Sequence, residues 1–271
     1  MKIIAMDMDG TLLNSHQNIS TYTKDILLSL QKQGHAIVLA SGRDLQSLVR
    51  FGDNLEISHY PQSGYICLNG LKIYDYRGNL LHVEDALTFA QASQLCDIAK
   101  EYYFDMILFF QDTLYIMEYG NTGIINHHFM SSKKDIIQDI HEIPKSLFHD
   151  LRKVAFIQKA DYIENIIMTL QEQMKGIFQL SRVEEDWIEV NPSGIHKGHA
   201  LEVYAKIKGI DMQDVIAFGN GENDIEMLKM AGKGIAMGNA FDSVKIMADD
   251  ICGDYDHDGI GQYLNERKEE L

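Results

Sequence analysis

Cysteine is scarce in this chain. Cys67, Cys96 and Cys252 are three, odd in number and scattered, so they form neither a metal-ligand spacing nor a disulfide framework. A reducing, cytoplasmic compartment is expected. Long apolar runs are missing too: no stretch reaches membrane-spanning length. The first apolar run is interrupted by Asp7 and Asp9 and does not read as a signal peptide. Basic residues are few, with 24 Lys and Arg against 40 Asp and Glu and a net charge of −16. Such a chain is not built to grip a nucleic-acid backbone. Tandem repeats and low-complexity tracts are absent. What remains is ordinary globular material, 45% hydrophobic and 24% charged over 271 residues. That is enough for one large domain or a domain carrying an inserted one.

The most informative stretch is the first. Ile3 to Met6 is uninterruptedly apolar and predicts a strand buried on both faces, as in a parallel sheet. It ends in Asp7-Met8-Asp9-Gly10-Thr11. Two carboxylates at the carboxyl end of a buried strand sit where open α/β sheets bind ligands. They repel unless a cation lies between them, which predicts a Mg²⁺ site with one aspartate free to attack an electrophile. The plainer reading is an Asx turn. Three more apolar strands end in polar turns. Ala36–Ala40 stops at Ser41-Gly42-Arg43-Asp44, where a hydroxyl and an approachable backbone N–H suit an oxyanion, though Ser41 also suits a cap. Tyr65–Leu68 stops at Asn69-Gly70, a hairpin signal. Val215–Phe218 stops at Gly219-Asn220-Gly221-Glu222-Asn223-Asp224. Lys197 stands just before a helical stripe, where its ammonium can meet a phosphate, although most lysines are simply solvated. Gly234–Gly238 reads as the last core strand. Asp256-His257-Asp258-Gly259 reads as a surface loop and the N-cap of a final helix.

In chain order the segments at Asp7–Thr11, Ser41–Arg43, Lys197 and Gly219–Asp224 resemble the four motifs of the haloacid dehalogenase superfamily of phosphotransferases. The resemblance implies Asp7 as nucleophile and Asp9 as general acid and base. It implies phosphate binding by Met8, Ser41, Gly42, Lys197 and Asn223, and Mg²⁺ held by Asp7, Asp9, Asn220 and Asp224. Arg43 and Asn69 become possible substrate contacts. One departure matters: relatives carry Asp where this chain has Asn220. An amide oxygen can coordinate Mg²⁺ but brings no charge, so weaker metal binding is expected.

From about Leu81 the character changes. Phe89 to Ala99 and Asp161 to about Lys175 predict helices, the second opened by a capping box of Asp161 and Glu164. Met106–Phe110, Thr113–Met117, Val154–Gln158, Phe178–Ser181 and Trp187–Val190 predict strands. The His127-His128 pair reads as loop surface, and the nearby aromatic residues as packing. Val190 to Gly194 is turn chemistry, read as the return linker. The expected architecture is α/β: a doubly wound, mostly parallel, Rossmann-like core over 1–80 and 190–271. An α+β cap over 81–189 resembles the C2B caps of Cof-type phosphatases and is expected to set substrate selectivity. The function so implied is Mg²⁺-dependent hydrolysis of a small phosphate monoester, by a monomer or homodimer, through an aspartyl-phosphate. A sugar phosphomutase and a non-catalytic sensor of phosphorylated metabolites, the latter suggested by Asn220, stay open.

Overall fold

A computed structural model describes residues 1–110, 113–125 and 134–268; the His127-His128 pair lies outside them. The chain divides into two compact units. One is Met1–Glu84 with the chain from Ile195 onward, and the other is Asp85–Gly194. In chain order the first unit opens with β1 (Ile3–Met6), α1 (Thr21–Lys32), β2 (Ala36–Ala40), α2 (Leu45–Asn54), β3 (Gly64–Cys67), β4 (Lys72–Asp75) and β5 (Leu80–Val83). The second holds α3 (Phe89–Glu101), β6 (Asp105–Phe109), β7 (Leu114–Glu118), β8 (Lys134–Ile136), β9 (Lys153–Ile157), α4 (Ala160–Met174), β10 (Phe178–Glu184) and β11 (Trp187–Pro192). The first then resumes with α5 (Lys197–Lys208), β12 (Val215–Gly219), α6 (Ile225–Met230), β13 (Lys233–Ala236), α7 (Asp242–Met247), β14 (Asp250–Ile251) and α8 (Gly259–Glu266).

The first unit is an eight-stranded sheet in the order β14-β13-β12-β1-β2-β3-β4-β5. The six strands from β14 to β3 are parallel; β4 pairs antiparallel with β3, and β5 antiparallel with β4. Every residue of β1, β2 and β12 is buried, so both faces are covered, as their unbroken apolar composition requires. From β1 the chain winds one way through β2 and β3, and after its return it winds the other way through β12, β13 and β14. Right-handed crossovers in opposite directions put helices on opposite faces. The reversal falls between β1 and β12, at whose carboxyl ends such sheets bind ligands.

The second unit is a six-stranded sheet, β10-β11-β9-β6-β7-β8. Both α3 and α4 bury their stripes on one face, Leu95 and Ala99 with Ile163 and Leu170 against Met106, Phe156 and Ile188. The opposite face carries Ile107, Ile116, Ala155, Ile157 and Trp187.

Several local expectations are corrected. β5 pairs with β4, so the core sheet runs through Val83 and the first unit to Glu84. β11 continues through Asn191 and Pro192, opposite Gln179 and Phe178. β9 pairs only as far as Val190, so Pro192 sits on a free edge where its missing N–H costs nothing. The turn is left to Ser193 and Gly194. Asp161 is not the N-cap: α4 starts at Ala160 after Lys159, Asp161 Oδ1 accepts from the adjacent Tyr162 N–H at 2.9 Å, and Glu164 pairs with Arg182. Beyond the Gly234–Gly238 stretch lies one more strand, the two-residue β14. Asp258 occupies the N-cap position of α8 without making a side-chain cap; its carboxylate accepts from Ser20 and Thr23 at the start of α1.

Candidate active site

β1 delivers Asp7 at its carboxyl end, where the Asp7 N–H still donates to Phe218 of β12 at 3.0 Å. Lys197, at the first position of α5, is wholly buried. Its ammonium donates to Asp7 Oδ1 at 2.6 Å and to Asp224 Oδ1 at 2.7 Å. Two carboxylates around one ammonium hold its pKa above the ordinary lysine value despite burial. Asp7 goes the other way: burial first, then the charge of Asp224, push it up to about 7, against the pull of Lys197. Asp224 Oδ2 accepts from the Asn220 and Gly221 N–H groups at 2.9 and 3.0 Å. Both its oxygens are therefore engaged, one by the Lys197 ammonium and the other by two backbone N–H groups. Gly219 makes this packing possible, since a Cβ there would stand 2.4 Å from that of Asp224.

Asp9 is differently placed. Its carboxylate is half exposed and gripped by Arg43, Nε to Oδ2 at 2.8 Å and Nη2 to Oδ1 at 2.5 Å. Arg43 also donates to Gln17 at 2.7 Å. The arginine expected as a substrate contact thus holds the expected general acid. Just past β2, Ser41 Oγ accepts from the Arg43 N–H at 3.2 Å, leaving its O–H to donate. The N–H groups of Met8 and Gly42 donate no hydrogen bond among the described residues. With the Ser41 hydroxyl they are donors left over at adjacent strand ends, as anion recognition requires.

Asn69 and Asn223 come together, 154 positions apart, with Asn223 Nδ2 donating to Asn69 Oδ1 at 3.1 Å. The Asn69-Gly70 turn does join β3 to antiparallel β4. Asn69 is buried with φ of 53°, which asparagine tolerates better than most residues. One contributor carried no expectation: His196 is the N-cap of α5, its Nδ1 accepting from the His199 N–H at 3.0 Å. Histidine is not a usual cap, so no sequence signal marks it.

Asn220 faces Asp7 and Asp9. One end of its amide lies 2.8 Å from Thr11 Oγ1, 2.9 Å from the Asp9 carbonyl and 3.3 Å from Asp7 Oδ2. The last two only accept, so nitrogen is the atom that satisfies all three contacts. Gly10, at φ of +72°, clears the space, because a Cβ there would stand 2.7 Å from the Asn220 amide. The set also suits a hard divalent cation. Asp7 Oδ2, the Asp9 carbonyl and an Asn220 amide turned oxygen-inward are all oxygen donors. Their spacing is of the order of the roughly 2.9 Å between neighbouring oxygens around Mg²⁺. The charge on the set is low. Among the described residues no three His, Cys, Asp or Glu side chains gather to hold a metal.

Residues 4–264 match the haloacid dehalogenase-like hydrolase family. The chain belongs to that family. Its curated relatives include the pyridoxal phosphate phosphatase of Escherichia coli, 26% identical over 97% of each chain. A 5-amino-6-(5-phospho-D-ribitylamino)uracil phosphatase of Bacillus subtilis is 30% identical over 97% of this chain and 94% of that one. A haloacid dehalogenase superfamily phosphatase of known structure from Bacteroides thetaiotaomicron superposes with a TM-score of 0.80 at 24% identity, over 98% of this chain and 94% of the other; that likeness speaks to the fold. This haloacid dehalogenase-like hydrolase is a Cof-type phosphatase, a phosphoric monoester hydrolase by class. No helix among its described residues is long and apolar enough to cross a membrane.

Proposed function

We propose that this hydrolase cleaves a small phosphate monoester by covalent catalysis at Asp7, with Mg²⁺ as cofactor. The observation that carries this reading is the Asp7 carboxylate: buried at the switch point of a parallel sheet, with Oδ1 taken by Lys197 and Oδ2 turned toward the Asn220 amide. Asp7 attacks phosphorus, and an Asp7–phosphoryl bond forms as the ester P–O bond breaks. Lys197, the Ser41 hydroxyl and the Met8 and Gly42 N–H groups offset the charge on the transferring oxygens. Asp9 passes a proton to the leaving alcohol, then takes one from the water that cleaves the aspartyl-phosphate and frees inorganic phosphate. For this, Asp9 must loosen from Arg43, so Arg43 positions Asp9 and is itself available to an arriving ligand. When bound, Mg²⁺ supplies positive charge beside the phosphoryl oxygens, held by Asp7, the Asp9 carbonyl and Asn220.

We assign the Asp85–Gly194 unit the role of a selectivity cap. A cytoplasmic monomer or homodimer acting on a phosphorylated metabolite fits the composition. The test is phosphate release with and without Mg²⁺. It begins with pyridoxal phosphate and 5-amino-6-(5-phospho-D-ribitylamino)uracil, the esters in the relatives' names. Mg²⁺-dependent release by the native chain, lost in Asp7→Asn, is the expected result. Equal release by purified Asp7→Asn rejects the mechanism. One feature favours a second reading, a phosphometabolite sensor: Asn220 removes a charge from the metal set. Ligand binding without turnover, unchanged in Asn220→Asp, would establish it.

A further inference from the structure

The Asn220 amide stands among oxygen atoms that would otherwise repel one another. Asp7 Oδ2 and the Asp9 carbonyl are 3.3 and 2.9 Å from the same amide atom. An aspartate at this position would place a third acceptor, and a second charge, against them, a cluster that only a cation relieves. An amide has two ends. We propose that Asn220 is a two-state switch at the metal site. Without a cation its NH₂ donates to Asp7 Oδ2 and the Asp9 carbonyl, taking over the cation's task of holding these oxygens together. A divalent cation binds only as the amide turns over to offer oxygen. The metal-free site is thereby self-satisfied, and metal competes against an internal donor. This rests on the reading of Asp7, Asp9 and Asn220 as a Mg²⁺ site.

Two consequences have opposite signs. The metal-free protein gains stability from the amide, because two acceptors keep a donor inside a buried site. The metal-loaded protein loses affinity, because Mg²⁺ must displace that donor and gains an uncharged ligand in exchange. Thermal unfolding separates the two without reference to turnover. Native protein, Asn220→Asp and Asn220→Ala are melted at pH 8 in EDTA and across a Mg²⁺ titration. In EDTA the Asn220→Asp variant is expected to melt lower than the native protein by about 2–4 °C, a shift that follows from about 1–2 kcal/mol in a chain of this size. Asn220→Ala, which removes the donor and adds no charge, falls between them. Under saturating Mg²⁺ the Asn220→Asp deficit disappears, and its apparent Mg²⁺ Kd is at least tenfold below the native value. The side-chain ¹⁵N resonance of Asn220, assigned by its loss in either variant, shifts on adding Mg²⁺.

An Asn220→Asp variant as stable as native protein in EDTA overturns the proposal, as does an equal Mg²⁺ affinity in the two. Recovery of the variant's melting point by Mg²⁺ shows that it folds. Parallel phosphate release separates the two layers of argument. Mg²⁺-dependent turnover with no difference in EDTA stability leaves the phosphatase reading standing and removes the switch. Absence of both Mg²⁺ stabilisation and turnover removes both.

Discussion

Each unit buries an aspartate near a strand end, and the two are handled in opposite ways. Asp105, at the start of β6, is 1% exposed. Its Oδ1 accepts from the Gly120 and Asn121 N–H groups at 2.8 and 3.0 Å, and its Oδ2 from the Thr122 N–H and hydroxyl at 3.1 and 2.6 Å. Four donors pin the turn after β7 to the sheet. Asp7 is nearly as buried, at 6%, yet it has fewer donors: Lys197 on Oδ1 at 2.6 Å and, on Oδ2, the Asn220 amide at 3.3 Å. A satisfied carboxylate repays its desolvation in hydrogen bonds and is inert. One left short of donors keeps a raised pKa and an oxygen to spend on a ligand. The difference separates scaffold from chemistry more sharply than burial or residue type does.

The largest expected effect tests that contrast directly. Asp7→Asn is expected to lower turnover at least about 10³-fold, while its melting temperature in metal-free buffer does not fall. Asp105→Asn is expected to do the reverse. Turnover stays within about twofold, and stability drops by about 2 kcal/mol as donors are left facing an NH₂ group. Denaturant melts and phosphate release on the same preparations measure both. The pH dependence sharpens the pair. Folded Asp7 keeps its proton to about 7, whereas the unfolded side chain releases it near 3.8. The stability it contributes in acid is lost as pH rises through that window. Asp7→Asn has no such loss, so its stability relative to native protein grows from pH 4 to 7. A flat difference across that range would mean Asp7 is no more strained than Asp105.

Next in size comes Lys197→Met. The variant keeps the bulk of the side chain and leaves Asp7 and Asp224 without their shared cation. Breaking a buried pair from one side costs about 3–5 kcal/mol, and turnover is expected to fall with it. Lys197→Met combined with Asp7→Asn should recover part of the stability and none of the activity. Full additivity of the two in denaturant melts would show that Lys197 and Asp7 are not coupled.

Much of this contrast was legible in the residues. β1, β2 and β12 announce themselves as unbroken apolar runs because both faces of a parallel sheet are covered, and a carboxylate or hydroxyl after such a run has nowhere to go but the sheet's carboxyl edge. Contacts between distant turns were not legible. Arg43 meets Asp9 because β2 and β1 become neighbours in the sheet, and Asn223 meets Asn69 although β12 and β3, which they follow, are separated by both of those strands. Short-range rules failed where pairing outweighed them. Pro192 stays in a strand because β10 holds it after β9 has ended. Asp161 is an Asp-x-x-Glu box in spelling alone, since α4 begins one residue earlier. β14 has two residues, one of them charged, and no periodicity to betray it. Asp105 was invisible because three of its four donors are backbone N–H groups, which no side-chain pattern records.

The smallest expected effect concerns His196. As N-cap of α5 it must accept a hydrogen bond on Nδ1, so it has to be neutral there. Burial, with help from His199 and Lys229, holds its pKa below the ordinary histidine value. A lowered pKa means that the unfolded chain binds the proton first. The cap's contribution is therefore complete above about 6.5 and is lost as pH falls below that value. Protonation would also put a positive charge at a helix N-terminus, where the dipole disfavours it. Since α5 begins with Lys197, fraying of its first turn reaches the Asp7–Lys197 pair, and acid sensitivity of the fold becomes acid sensitivity of the site. His196→Asn retains an accepting cap and cannot be protonated. The variant is expected to match native stability within about 1 kcal/mol at pH 8 and to lose less of it, and less activity, between pH 6.5 and 5. His196→Ala removes the cap at every pH and should be weaker throughout, with a flatter profile. Equal acid loss in native protein and His196→Asn would place the acid sensitivity elsewhere and leave His196 as a cap with no bearing on pH.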